Sequence, residues 1–316
     1  MDRFLESSVW SLDAWKKWLW IVIRSALLIG LSFIILYPIL VRISTAFKHR
    51  ADIYDPLVVW VPRTFTLENF KVAMQIMDFA PTLFTTFVLV SLTTLLQVAS
   101  CALAGYAFAK LRFRGSGILF AAVILTILVP PQTIMLPLYL NFKNFDLFGL
   151  FPLLTGKDSI QLLNSWWPFL LTAATANSLK SGLYIYIFRQ FFRGLPKEIE
   201  EASFVDGAGV FRTFYSIMLP NAIPAAVTVL LFSFVWMWND SLFTSIYMPS
   251  GQIMSSALTQ LPNNVKIFMQ TQEADPFYAS MLSDTGVLLA IIPLIVLYLV
   301  FQRYFVESIE RSGLVG

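Results

Sequence analysis

The side chains best suited to binding a small polar solute lie near the end of an apolar stretch, residues 222–246. Asp240 lies four residues after Trp236, with Asn239 alongside it, so the three would share one broad face of a helix. An acid and an amide are costly in lipid and usually face protein or a water-filled path. Because a sugar has apolar CH faces and polar rims, an aromatic ring beside hydrogen-bonding groups could recognise it.

Two more polar residues interrupt apolar stretches and are candidates for the same pathway. Lys180 lies within residues 166–188, and Gln132 follows two prolines that loosen the local backbone pairing. A structural alternative stays open for this set. Trp236 could anchor a membrane interface with Asp240 among the headgroups, and Lys180 could extend its ammonium to the interface.

Catalytic and cofactor chemistry has little support in the sequence. Cys101 and His49 are the single cysteine and histidine, so the chain cannot build a disulfide framework, a Cys/His metal site or a His-based catalytic set. The pair Gly156-Lys157 is followed by Asp158 and lacks the spaced glycine of a phosphate-binding loop. We therefore expect no enzyme activity, cofactor or metal in this chain.

The composition requires a membrane setting. Hydrophobic residues make up 57% of the chain and charged residues 13%, with a mean hydropathy of +0.71. The net charge of +3 is small, and the basic residues lie at the ends of apolar stretches, where they set topology and contact lipid headgroups. Nucleic-acid binding has no support.

The apolar stretches predict an all-α membrane protein with about six transmembrane helices, since a helix needs roughly 20 apolar residues to cross the hydrocarbon core. The predicted spans are 19–41, 83–109, 118–140, 166–188, 222–246 and 285–305. Residues 1–18 form an N-terminal segment, and 19–316 form the transmembrane domain. Polar residues between Asn177 and Gly182 predict that the fourth span is broken, tilted or buried in protein, and residues 146–165 leave room for a short re-entrant piece.

Basic residues orient these spans. The short connection 110–114 contains Lys110, Arg112 and Arg114 and no acid, which predicts that it lies in the cytoplasm. The same orientation places both termini inside. Within the second span, the small residues Cys101, Gly105 and Ala109 are four apart and predict close approach of another helix.

A polar loop, residues 193–220, separates the fourth and fifth spans. Pro196 and the acids after it predict a helix start, and Asp206-Gly207 predicts a turn. A second short helix from about 210 to 218 is expected to end at Leu219-Pro220. The alternative to a functional loop is an amphipathic interfacial loop whose aromatic side chains lie in lipid.

The run from Glu201 to Gly207, followed ten residues later by Ile217-Met218-Leu219-Pro220, resembles the cytoplasmic loop of ABC importer permeases. The family pattern begins Glu-Ala-Ala, and Ser203 replaces the second alanine. The runs 102–115 and 302–307 and the pair Trp238-Asn239 resemble the carbohydrate-uptake branch, which contains maltose and glycerol-phosphate importers. The tail from Ser312 lacks the lysine often seen in that family, so the resemblance does not extend to a tail contact with the ATPase.

This resemblance implies a coupling helix that docks on an ATP-binding subunit through Glu201, Ala202, Ser203, Asp206 and Gly207. It implies a binding-protein-dependent importer in a bacterial inner membrane. The partners would be a second permease, two ATP-binding domains that hold ATP and magnesium, and an extracytoplasmic solute-binding protein. The substrate would be a sugar or oligosaccharide, with glycerol phosphate or another polar solute as the alternative.

Two classes of protein compete with this interpretation. An ion-coupled secondary transporter would need buried acids in mid-membrane and inverted repeats, and a noncatalytic membrane scaffold would not need the polar loop. Substrate-stimulated ATP hydrolysis by an assembled complex would separate the importer from both.

Overall fold

The computed structural model describes residues 12–146, 156, 159–269 and 275–313, with side chains between residues 15 and 302 of those ranges. The re-entrant piece considered for 146–165 falls largely outside them, as does the end of the tail. The described residues form helices and no β-strand, apart from isolated β-bridges, so the all-α prediction is confirmed. Its helices are α1 (Leu12–Ala46), α2 (Glu68–Ile76), α3 (Phe79–Lys110), α4 (Ser116–Leu128), α5 (Pro131–Lys143), α6 (Trp167–Ala174), α7 (Ser181–Gly194), α8 (Lys197–Val205), α9 (Val210–Asn221), α10 (Ile223–Trp238), α11 (Leu242–Tyr247), α12 (Met254–Phe268) and α13 (Pro276–Gly313).

Three described helices are by themselves long and apolar enough to cross a membrane, namely Trp15–Ala46, Phe79–Lys110 and Pro276–Gln302. Two bent pairs, α4 with α5 and α9 with α10, raise the number to five if each pair is one span. The predicted fourth span consists of α6 and α7 with a break between them, as its polar interior indicated. A count of six spans stays a prediction.

The predicted third span, 118–140, is wrong as a single helix. Helices α4 and α5 meet at 104°. Val129 and Pro130 have extended backbone between them, because a residue that precedes proline avoids the helical region. Pro131 then begins α5, where its missing N–H costs no hydrogen bond.

The predicted fifth span, 222–246, is also interrupted. Helix α10 ends at Trp238, and α11 begins at Leu242. Asp240 causes part of this break, since its Oδ1 accepts a hydrogen bond of 3.3 Å from the backbone N–H of Phe243. A short side chain that bonds the nearby backbone competes with the regular helix ladder.

The described residues divide into two compact units, whose ranges follow without the gaps named above. One contains residues 74–264 and 290–316, and its core forms where α3 packs against α6, α7 and α10. Cys101 and Gly105 on α3 are buried at α7, so the predicted close approach is confirmed there. A Cβ atom built on Gly105 would lie 2.5 Å from the Cβ of Phe188.

The other unit contains residues 1–73 and 265–289. Arg42 of α1 donates to Asp284 of α13 at 2.7 Å. Lys48 is buried, and its ammonium donates to the carbonyl of Val58 at 2.7 Å. The buried Asn69 side chain donates to two carbonyls near the end of α1, which satisfies its amide and fixes the segment after that helix.

Candidate functional site

Loop 193–220 contains two helices joined by a tight turn. Helix α8 ends in a left-handed residue, Gly207, whose φ is +78°. The N–H of Gly207 donates to the carbonyl of Phe204, and the N–H of Ala208 donates to that of Ser203, both at 3.0 Å. This pair of bonds is the Schellman arrangement that ends many helices. The predicted turn at Asp206-Gly207 is therefore confirmed.

Four of the five predicted docking residues are exposed on this loop: Glu201, Ala202, Asp206 and Gly207. Ser203 is different, since only 3% of it is exposed. Its hydroxyl shares a hydrogen bond of 2.8 Å with the Thr213 hydroxyl, and this bond joins α8 to α9. We therefore correct the prediction for Ser203. A buried hydroxyl needs such a partner, and Ser203 holds the loop together from inside.

The base of α8 is fixed to α3 by a side chain that the sequence interpretation missed. Glu200 Oε1 accepts a hydrogen bond of 2.8 Å from the Tyr106 hydroxyl. Lys110 Nζ lies 3.9 Å from Glu200 Oε2 and donates to the carbonyl of Leu195 at 3.1 Å. Tyr106 and Glu200 are 94 residues apart, so no local pattern links them. The neighbouring acids Glu200 and Glu201 thus face different surroundings.

We expect Tyr106→Phe to lower the thermal unfolding midpoint of the purified protein. The change removes a hydrogen bond to a carboxylate inside the fold, which typically contributes about 1.5–3 kcal/mol. Tyr186→Phe is the matched control, because among the described residues the Tyr186 hydroxyl takes part only in an exposed hydrogen bond of 3.3 Å, which it accepts from Gln190. Equal midpoints for the two variants would show that Glu200 is not an anchor of the loop.

The second loop helix ends at Asn221, one residue beyond the predicted Leu219-Pro220. Helix α9 runs through Pro220 to Asn221 and contains a π-helical turn, Phe214–Met218. The N–H of Leu219 reaches back to the carbonyl of Phe214, so the backbone is widened immediately before the proline. A wider turn accommodates a residue that lacks an N–H, and α9 then meets α10 at 78°.

A cavity of about 340 Å³ lies where α4, α5, α6, α7, α10 and α11 meet. Its volume is within the range of about 300–1,000 Å³ that small-molecule sites have. Its polar lining residues are Thr126, Thr172, Asn177, Ser178, Lys180, Ser181 and Asp240. Phe169, Phe243 and Tyr247 add aromatic surface. The cavity therefore offers hydrogen-bonding groups beside aromatic rings.

The structure brings together only part of the predicted pathway. Lys180 and Asp240 line the cavity, and the Lys180 ammonium lies 4.7 Å from the ring centroid of Trp236. Trp236 itself is 47% exposed, and Asn239 and Gln132 are exposed. None of these three lines the cavity. The predicted common face is wrong for Asp240, because α10 ends at Trp238 and helical spacing does not carry through to this residue, whereas Trp236 and Asn239 are both exposed.

The sequence interpretation did not identify Gln97 of α3 as a residue of this site, although an amide within an apolar span is a recognisable signal. Its Nε2 donates to the Leu179 carbonyl at 2.8 Å and to the Ser181 hydroxyl at 3.0 Å. Its Oε1 accepts from Ser233 of α10 at 2.6 Å. Gln97 thus connects three elements around the cavity. Within the described ranges, no three His, Cys, Asp or Glu residues gather as a metal site would require.

The sequence of this chain matches the model of a known protein family. The family model described as the binding-protein-dependent transport system inner membrane component matches residues 101–311. This range includes α7, loop 193–220 and the whole lining of the cavity. The chain belongs to this family. The predicted resemblance to importer permeases is thereby confirmed.

Similar proteins carry permease names. The probable ABC transporter permease YurM of Bacillus subtilis is 26% identical over 89% of this chain and 84% of its own length. The arabinooligosaccharide permease AraQ of Halalkalibacterium halodurans is 25% identical over 90% and 93%. The melibiose, raffinose and stachyose permease MelC of Bacillus subtilis is 23% identical over 88% and 91%.

A solved structure shares the fold of this family member. It is a bacterial ABC transporter involved in the import of the acidic polysaccharide alginate, and it matches with a TM-score of 0.68. The match covers 94% of this chain and 99% of the other, at 19% sequence identity. At that identity the similarity establishes the architecture of the chain and leaves its substrate to other arguments.

Proposed function

We propose that this chain is a permease subunit of an ATP-driven importer for a sugar or oligosaccharide, and that loop 193–220 docks on an ATP-binding subunit. The observation that carries the docking proposal is the exposed tip of this loop. Glu201 and Asp206 project from a short helix whose base is tied into the fold through Glu200. The names of AraQ and MelC support a saccharide as the substrate class.

The contacts that connect α8 to α3 and α3 to α7 give a route by which a displacement of α8 could reach the cavity. Glu200 connects α8 to Tyr106 and Lys110 at the end of α3. Helix α3 packs closely against α7 at Phe188, because Gly105 has no side chain to hold the two helices apart. The first turn of α7, at Ser181 and Gly182, lines the cavity. Movement of a rigid, closely packed chain of helices can thus change access to the solute path.

The proposed assembly has four further parts. A second permease completes the pathway, two ATP-binding domains hydrolyse ATP with magnesium, and an extracytoplasmic binding protein delivers the solute. This chain is a transport component without its own ATPase chemistry. We place it in a bacterial inner membrane with both termini and loop 193–220 in the cytoplasm, following the basic connection 110–114.

Co-purification from the native membrane tests this function. The complex is extracted in mild detergent, and every retained protein is identified by mass spectrometry. We expect an ATP-binding subunit and a second permease, together with ATP hydrolysis that a saccharide and its binding protein stimulate. Recovery of this chain alone in good yield would favour the secondary transporter or the scaffold over the importer.

The orientation makes a separate prediction. Cys101 is buried, and replacing it by alanine removes the one natural thiol. In that background, Asp206→Cys should react with a membrane-impermeant maleimide only when the reagent reaches the cytoplasmic side, and the ATP-binding subunits should slow the reaction. Labelling of intact cells from outside would overturn the orientation. If the labelling rate were the same with and without the ATP-binding subunits, docking at the tip would be overturned.

A further inference from the structure

Lys180 occupies a position that a structural role alone does not favour. Its φ is +64°, in the left-handed region that ordinary side chains rarely adopt. It immediately precedes α7, where the helix dipole is positive and a cation is therefore disfavoured. A lysine inside a membrane domain is costly as well. Residues held in such conformations cluster at binding and switch sites.

The charges that line the cavity are not matched to one another. No described carboxylate lies within 4.0 Å of the Lys180 ammonium, which contacts the face of Trp236 instead. The cavity acid, Asp240, is buried, and its carboxylate accepts from the backbone N–H of Phe243 at the start of α11. The acid is thus occupied by a helix start, while the cation has no anionic partner among the described residues.

The backbone around Lys180 is held from both sides. Gln97 donates to the carbonyl of Leu179 and to the hydroxyl of Ser181, the residues directly before and after the lysine. Gln97 is itself 2% exposed and fixed by Ser233. The same short segment contributes Ser178 and Gly182 to the cavity lining. The left-handed conformation of Lys180 is therefore set by the surrounding structure.

We propose that this cavity receives a solute that carries an anionic group, a carboxylate or a phosphate, and that Lys180 binds that group. The assignment rests on the proposed import function and narrows its substrate class from saccharides in general to acidic or phosphorylated ones. Lys180 supplies the charge, Asn177 supplies a neutral hydrogen-bonding group beside it, and Gln97 is a positioning residue. An ion paired with an ammonium in a partly desolvated site binds more strongly than a neutral hydroxyl does.

Protection of a cavity cysteine tests the assignment in the assembled complex. Ser178→Cys is introduced in the Cys101→Ala background, and its rate of maleimide labelling is measured with glucose, glucuronate or glucose 6-phosphate. We expect glucuronate, glucose 6-phosphate or both to slow labelling, and glucose to have at least about tenfold weaker effect at the same concentration. The stronger of the two anions identifies the group.

Charge variants complete the test. Lys180→Gln should raise the half-protecting concentration of the anion at least about tenfold, and Lys180→Arg should restore most of the protection. Lys143→Gln is the matched control, since Lys143 also lies near an aromatic ring, that of Tyr139 at 6.0 Å, but is outside the cavity. Equal protection by glucose, or protection by none of the three sugars, would overturn the anion site. The co-purification result is independent of labelling, so failure of the import function would be seen separately.

Discussion

Gly207→Pro is expected to abolish solute uptake while the protein still reaches the membrane. Gly207 has a φ of +78°, and proline fixes φ near −65°. Proline also removes the N–H that donates to the Phe204 carbonyl at the end of α8. The turn that presents Glu201 and Asp206 cannot then form. The measurement is uptake of the transported solute by cells or proteoliposomes, with membrane abundance of the variant determined by immunoblot.

Two companion variants show what is lost in Gly207→Pro. Gly209→Ala is the control, because Gly209 has a φ of −76° and open space around its Cβ position. It should transport normally. Glu201→Ala keeps the turn and removes only an exposed acid, so uncoupled ATP hydrolysis in this variant would indicate lost contact with the ATP-binding subunit. Normal uptake by Gly207→Pro would rule out the docking role of the loop.

Gly105→Val is expected to prevent normal packing of α3 against α7. A Cβ at this position would lie 2.5 Å from Phe188 Cβ and 3.0 Å from the backbone nitrogen of Arg189. The neighbouring atoms belong to a helix and cannot rotate away as the end of a flexible side chain could. Overpacking usually costs about 1–3 kcal/mol, and a backbone clash of this kind is at the upper end or beyond. The measurement is the yield of monodisperse protein and its thermal midpoint.

Gly30→Val provides the comparison for this prediction. Gly30 also lies in a long apolar helix, α1, but no atom comes within 4 Å of a Cβ built on it. The comparison therefore separates a packing clash from the general effect of valine in a membrane helix. If Gly105→Val were as stable and as abundant as Gly30→Val, the close approach of α3 and α7 would not contribute to the fold.

Local chemistry made several features predictable from the sequence. The apolar composition determined a helical membrane protein, since backbone groups in lipid must be satisfied within the helix. Asp206-Gly207 determined the turn of loop 193–220 because only glycine takes a left-handed conformation without steric cost. Small residues on α3 indicated a close helix approach, which the structure places at Gly105. The family pattern in loop 193–220 led to membership that the comparison confirmed.

The tertiary structure decided which side chains share a site. Helical spacing placed Trp236, Asn239 and Asp240 on one face, but the break after Trp238 buries Asp240 at the cavity while Trp236 and Asn239 are exposed. Lys180 and Asp240 meet at one cavity because a bend between α4 and α5 and a break before α7 open space there. Glu200 accepts a hydrogen bond from Tyr106, which is 94 residues away in the sequence. Sequence spacing reports neighbours within one helix, whereas the contacts that fix a site depend on how separate helices pack, and that is determined only when the whole chain folds.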